Sequence, residues 1–308
     1  MTFNENNTVA EAVEMIRFLS NNRVPLLYAY IVDDEYKLKG ELVMRDLLIS
    51  HDETLLKDLM TTDVHSINVH RNKDEVAKEA IDKKYLAVPI VDDHNRFIGC
   101  LKYKDIIQYA QQQSGQNLQK LFGAGAEETT LSGVRYKIAK RLPWLKINLL
   151  TAFLAGAVIG AFEDIIAQIT VLAIFLPIIS GQGGNTGAQS LAVVMRGLAM
   201  DEIKPGIARK LIVKETLAGI INGLAVGLVT AAAGWWWGQN AFLGLIIGIA
   251  MFANMILAAF FGAAIPLSMK KMGLDPAQSS NIILTTFTDV CGFLILLTLA
   301  VTFRSYLI

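Results

Sequence analysis

Asp289 lies in the run NIILTTFTDVCGFLILL and is the only acid deep inside an apolar stretch of the second half of the chain. A lone carboxylate at bilayer depth costs about 3 kcal/mol or more, so it normally faces a cavity and marks an ion or proton path. Asn281, Thr285 and Asp289 follow one another at intervals of four, which puts them on one stripe of a helix. Oxygen ligands on one stripe suit a hard cation. A single helix offers too few of them for a closed cage, so a second copy of the chain or retained water must complete the shell. The plainer alternative is a structural hydrogen bond from Asp289 to a neighbouring helix.

A second unusual stretch is LPIISGQGGNTGAQS, residues 176–190. Gly181, Gly183, Gly184 and Gly187 are costly in a helix unless a bend or a close approach of backbones is wanted. Pro177 frees a carbonyl one turn earlier. With Asn185 and Gln189 on one face, the stretch predicts a broken, tightly packed, polar helix at membrane depth, as found where backbone lines a pathway. Small-residue packing alone accounts for some of the glycines but leaves Asn185 and Gln189 unexplained.

The elements that must hold these residues follow from composition. The chain has 308 residues, 53% hydrophobic and 18% charged. Of the 28 Lys+Arg and 28 Asp+Glu, 20 and 21 precede residue 149, leaving 8 and 7 for the last 160 positions. The first half has an ordinary soluble composition, and the second is too apolar for a water-soluble domain, which excludes a single soluble enzyme. No nucleophile, metal-hydrolase or phosphate-loop pattern appears, and a net charge near zero gives no reason to expect nucleic acid. Cys100 and Cys291 fall one in each half, so neither a disulfide framework nor a cysteine zinc site is expected, and the start MTFNENNTVAEAV is unlike a signal peptide. His51, His65, His70 and His94 read as surface residues of the soluble half.

A helix crosses the hydrocarbon core with about 20 apolar residues, and five stretches fit, at 146–162, 165–197, 211–234, 241–266 and 278–303. Lys137, Lys140, Arg141 and Lys146 precede the first; Arg196, Lys204, Arg209, Lys210 and Lys214 separate the second from the third; Lys270 and Lys271 follow the fourth. The alternate loops AFED and GWWWGQN carry no basic residue. Basic loops stay in the cytoplasm. The N-terminal half is therefore expected to be cytoplasmic and the C-terminus outside, with Arg304 on the unfavoured side.

The soluble half repeats itself. AYIVDDEYKLKGELVMRDLL (29–48) and VPIVDDHNRFIGCLKYKDII (88–107) share seven identities at an offset of 59, among them Asp33/Asp92, Gly40/Gly99 and Asp46/Asp105. Each copy predicts a strand, an acidic turn, a second strand and a helix opening near the last Asp. The repeat resembles a tandem pair of CBS (cystathionine-β-synthase) modules. That resemblance implies adenine-nucleotide binding through a Gly-x-hydrophobic-Ser/Thr-x-x-Asp pattern. Here Gly40 and Asp46, and Gly99 and Asp105, are kept, but Val43 and Lys102 stand where the hydroxyls belong, so ATP is doubtful and Asp46 and Asp105 are expected to cap helices. Between the halves, Gly123 and Gly125 break a polar connector, and a basic amphipathic helix from about Thr130 to Leu142 is expected at the membrane surface, as a transmitter of movement or a passive link.

The segments Pro177…GGNTGAQS, VMRGLA and MGLDPAQSSN…TDVCG closely resemble the MgtE magnesium channels, related to the SLC41 carriers. The resemblance covers nearly the whole chain, and is more specific in the membrane segments than in the CBS pair. The expected fold is an α/β tandem CBS pair (1–112), a connecting segment (113–144) and an all-α membrane domain of five transmembrane helices (145–308). What the resemblance implies is a homodimer in lipid, in a prokaryotic plasma membrane, whose second and fifth spans line a pore at the two-fold axis. Asp289 would be the selectivity aspartate, with Asn281 and the Thr285 carbonyl as neighbouring levels; the family usually has alanine at the position of Thr285. Magnesium would be both cargo and regulator. The regulatory acids would come from Asp275 and Glu215 on the membrane side and from Asp33, Asp34, Asp46, Asp52 and Glu53 on the soluble side. Family members typically carry an acidic helical domain before the CBS pair, and this chain starts almost at the CBS boundary, so its regulation is expected to be differently built. The alternatives are a carrier coupling magnesium to sodium or protons, and a nucleotide sensor reporting to a membrane partner.

Overall fold

The computed structural model describes residues 1–19, 28–204 and 206–307. The chain divides into two compact units, Met1–Gln113 and Ser114–Ile308.

The first unit is built twice from one plan. Strand β1 (Thr2–Asn4) pairs in parallel with β2 (Tyr28–Val32), which pairs antiparallel with β3 (Leu38–Val43). Between them runs α1 (Val9–Leu19), and α2 (Met44–Ile49) and α3 (Leu56–Leu59) follow. The second copy sets β4 (Ile67–Asn68) parallel to β5 (Ala87–Val91) and β5 antiparallel to β6 (Phe97–Lys102), with α4 (Lys73–Asp82) between and α5 (Tyr103–Leu121) after. Both hairpins carry an irregularity at equivalent places, Ile31/Val32 and Ile90/Val91. The αL residues Tyr36 and Asn95 correspond too, both at φ 61°. The helix that follows the first strand of each copy is started by a polar residue. Thr8 and Glu11 exchange bonds between side chain and backbone across the first turn of α1, a capping box, and Asn72 accepts from the Asp74 N–H at 2.8 Å.

The paired acids of the repeat serve the turns. The Asp33 carboxylate accepts the N–H groups of Glu35 and Lys37, and Asp92 accepts those of His94 and Arg96. These are Asx turns, in which a short carboxylate replaces missing backbone partners. Asp34 and Asp93 accept the side-chain amides of Asn4 and Asn68, tying each hairpin to its first strand.

The second unit is helical: α6 (Val134–Ala161), α7 (Glu163–Gln168), α8 (Val171–Ala199), α9 (Ile207–Gly238), α10 (Ala241–Lys271), α11 (Pro276–Thr302) and α12 (Arg304–Leu307). Helix α10 is central. Of its most apolar window 56% is buried, against 6% for α6. It meets α9 through small residues: a Cβ on Gly244 would stand 2.5 Å from the Ala231 carbonyl and one on Gly248 2.9 Å from that of Gly227. Backbones approach this closely only where side chains are missing. On its other side α10 packs with α8 and α11 around Phe175, Ile179, Met251, Met255, Leu296 and Leu297.

Two expectations are corrected. The glycine-rich segment does not break its helix: α8 is continuous through Pro177 and all four glycines, and the interruption falls earlier, at Ile169–Thr170. The close contacts of Gly183 and Gly187 hold the helix in place of side-chain packing, while Gly181 and Gly184 have open space around them. No separate amphipathic helix occupies 130–142; Val134 already starts α6, which runs through Pro143. Before the Gly123/Gly125 break, the polar QQQSGQNLQKL segment forms the second half of α5. Among the described residues, four helices are long and apolar enough to cross a membrane, namely α6, α9, α10 and residues Ser280–Thr302 of α11. The remaining predicted span, α8, has 29 residues, sufficient in length, but Gln182, Asn185 and Gln189 dilute its apolar composition.

Candidate ion pathway

Asp289 sits half-buried near the middle of α11. Ser180 of α8 donates its hydroxyl to Asp289 Oδ1 at 2.5 Å. One turn along, the fully buried Asn254 of α10 donates its amide to the Ile179 carbonyl at 2.9 Å. Its Oδ1 is buried and has no partner among the described residues, a loss of about 1–3 kcal/mol that a leucine would not incur. Gly183 and Gly292 make room for this amide: a Cβ on Gly183 would run into Asn254 Nδ2, and one on Gly292 would lie 2.9 Å from it. Three helices therefore meet at one polar point beside the acid.

Asn281 and Thr285 lie on the same stripe of α11 and are half-buried. The Thr285 hydroxyl turns back to the Asn281 and Ile282 carbonyls, and its own carbonyl accepts the Thr288 hydroxyl at 3.0 Å besides the helical N–H four residues on. That carbonyl has both lone pairs engaged. On α8 the predicted residues separate into two faces. Pro177, Gly181, Asn185 and Gln189 are exposed, Gly183 and Gly187 are buried, and Gly184 has open space around it. Gly187 packs against α10 and α11, since a Cβ there would stand 2.8 Å from Leu284 Cδ1 and its carbonyl touches Gly262.

Five of the seven acids expected to sense metal have partners already. Asp275 caps α11 by accepting the Ala277 N–H at 3.0 Å, and its other oxygen accepts Lys120 Nζ at 2.9 Å. It lies on the wall of a cavity of about 510 Å3 that Asn117, Met195, Arg196 and Lys270 also line. Glu215 accepts the hydroxyl of buried Ser190 at 2.8 Å. The Lys37 N–H, followed by Lys39, holds the Asp33 carboxyl below its ordinary value. Asp52 and Glu53 are exposed. Asp46 does not cap its helix: the N-cap of α2 is Val43, without a side-chain bond, and Asp46 lies in the first turn paired with Arg45 at 3.2 Å. Asp105 likewise lies in the first turn of α5, where a carboxylate favours the helix dipole. At the nucleotide-like loop, Met60 and the Thr61 carbonyl crowd Gly40, while Gly99 is open. His65 lies at the surface, as expected, but with partners. It stacks on Tyr85 and lies 2.9 Å from Glu79, which also takes Arg71 and Lys83.

Ser180, Asn254 and Lys120 were not among the expected functional residues. Asn254 had a signal, a lone amide in the apolar run MFANMILAAF. Ser180 and Lys120 had none, because serines in helices and lysines at helix ends are common.

A model of the family described as MgtE, divalent cation transporter, matches residues 176–299, and a CBS domain model matches residues 56–112. The magnesium transporter MgtE of Enterococcus faecalis is 33% identical over 303 residues, 98% of this chain and 67% of that protein. That of Bacillus subtilis is 33% identical over 297 residues, 96% of this chain and 66% of its own. A crystal structure of the cytosolic domain of the Mg2+ channel MgtE in complex with ATP is 27% identical over 35% of this chain and 44% of that one, with a TM-score of 0.34. The chain spans about two thirds of the length of the curated relatives it matches. With a CBS pair followed by an apolar helical unit, and these relatives along nearly its whole length, the chain belongs to the MgtE family of magnesium transporters, a transporter family and not an enzymatic one.

Proposed function

We propose that this chain conducts magnesium through a path lined by α8 and α11 and completed by a second copy of the chain. The observation that carries this is the half-buried Asp289 carboxylate in the α8/α11 seam, with one oxygen held by Ser180 and the other free of any partner among the described residues. Magnesium gives up its water reluctantly. A pair of such carboxylates related by a two-fold axis would accept hydrogen bonds from the ion's water shell and select by size and charge. Asn281 adds an amide at the next level. The Thr285 carbonyl, which accepts the Thr288 hydroxyl at 3.0 Å, becomes a direct contact only where that hydroxyl turns away.

In this reading α8 spans the membrane as the fifth crossing helix, with its exposed small and polar stripe at Gly181, Asn185 and Gln189 turned to the partner copy. The first unit is cytoplasmic, the C-terminus is outside, and the protein sits in a prokaryotic plasma membrane. Magnesium bound at Asp275 and at acids of the CBS pair favours the closed state. The two hydroxyls missing from the nucleotide pattern argue against ATP as a required ligand.

The test is a current recorded from the purified chain in a planar bilayer under opposed gradients. A channel gives a magnesium current that reverses at the magnesium equilibrium potential and ignores sodium and proton gradients. Uptake that requires either gradient would make the protein a coupled carrier.

A further inference from the structure

Two sets of hydroxyls in this helical unit differ in the partners they choose. Thr216, Thr230, Thr285, Thr286, Thr288 and Thr302 donate to carbonyls of their own helices. Ser180 and Ser190 instead reach across from α8 to carboxylates on other helices, Asp289 and Glu215. A serine in a helix ordinarily satisfies itself on the carbonyl one turn back, so a cross-helix bond to an acid is a choice made by geometry. For Ser180 that geometry is held from behind. Asn254 ties the adjacent Ile179 carbonyl to α10 at 2.9 Å, and Gly183 and Gly292 let α8 and α11 close on its amide.

We infer that Ser180 is a specificity-determining residue, which holds the Asp289 carboxylate so that it receives a hydrated cation but cannot wrap a bare one. This rests on the reading of Asp289 as the pore acid. With Oδ1 bound by the hydroxyl, the carboxylate keeps one orientation and presents Oδ2 singly. A singly presented oxygen suits a magnesium ion that retains its waters. Calcium takes carboxylates through one oxygen or both and tolerates irregular geometry, so the bond from Ser180 to Oδ1 removes the two-oxygen mode that would favour it over magnesium. Asn254 is the positioning residue that keeps the hydroxyl within reach.

The test is uptake of magnesium and of calcium by proteoliposomes of the full chain, with Ser180→Ala, Ser180→Thr, Ser180→Cys and Asp289→Asn compared. In Ser180→Ala magnesium uptake persists, but preference over calcium falls about tenfold, the worth of a hydrogen bond to a charged group. Ser180→Thr restores the preference by restoring the hydroxyl, and Ser180→Cys, of similar size but a weak donor, behaves like Ser180→Ala. Unchanged preference in Ser180→Ala, or Ser180→Thr no better than Ser180→Ala, overturns the assignment when Asp289→Asn has lost uptake. Wild-type uptake in Asp289→Asn overturns the reading of Asp289 itself, and the role of Ser180 with it.

Discussion

The two seams of α10 are made differently. Against α9 it is backbone on backbone: Gly223, Gly227, Gly244 and Gly248 let the helices touch. Against α8 and α11 the glycines instead make room for polar groups, Asn254 at the centre and the Ser180–Asp289 pair beside it. One seam is satisfied wherever surfaces fit, while the other keeps a buried acceptor unpaired and a carboxylate half-buried. Small residues alone therefore do not mark a functional helix. What distinguishes the α8/α11 seam is the polar chemistry that its small residues admit.

The largest effect should separate the two seams outright. Asp289→Ala is expected to abolish magnesium uptake while the chain keeps its fold, because the proposed two-fold path would lose both carboxylates at once. Next come the glycines of α8, which the structure divides. Gly187→Leu must push into Leu284 and is expected to destabilise the chain itself by about 3 kcal/mol, read as a lowered melting temperature. Gly184→Leu meets nothing within the chain. If a second copy faces it, the variant folds normally and loses transport or dimerisation; normal transport would turn that face to lipid.

A smaller effect is expected at the end of α11. The Lys120 ammonium occupies the Asp275 oxygen that a regulatory magnesium ion would need. Lys120→Ala should lower the magnesium concentration that protects the CBS–connector region from protease, and Asp275→Ala should raise it. Because the pair is exposed, the shift for Lys120→Ala is at most about fivefold. Equal shifts in one direction would remove Asp275 from the sensor. The smallest effect lies in the CBS pair. Lys83 and then Arg71 hold the Glu79 carboxyl below its ordinary value. Its stabilisation is therefore complete above the ordinary carboxylate range and is lost as pH falls through the lowered value. Glu79→Gln should flatten the acid limb of the melting-temperature profile of the full chain.

The repeat was readable because identities at a fixed offset mark equivalent strands and turns, and the structure repeats even Tyr36 and Asn95. The roles of Asp33 and Asp34 were less readable. An Asx turn and a metal ligand call for the same side chain, and only the positions of the neighbouring N–H groups distinguish them. The two breaks were misplaced in opposite ways. Glycine's helix penalty applies to an isolated helix, and in α8 tertiary packing overrides it. At Ile169–Thr170, an apolar run conceals the end of α7. Ser180 stayed hidden because its importance lies in which oxygen it reaches, which no spacing encodes.

The central claim is that permeation chemistry belongs to one seam and only packing to the other. It is tested most directly by magnesium uptake per folded molecule in Asp289→Ala and Gly248→Ala proteoliposomes, measured beside their melting temperatures. A Cβ on Gly248 would stand 2.7 Å from that of Ala231, so this variant should melt earlier while each folded molecule transports as wild type. Asp289→Ala should melt as wild type and transport nothing. Uptake surviving in Asp289→Ala, or lost per folded molecule in Gly248→Ala, would contradict the division.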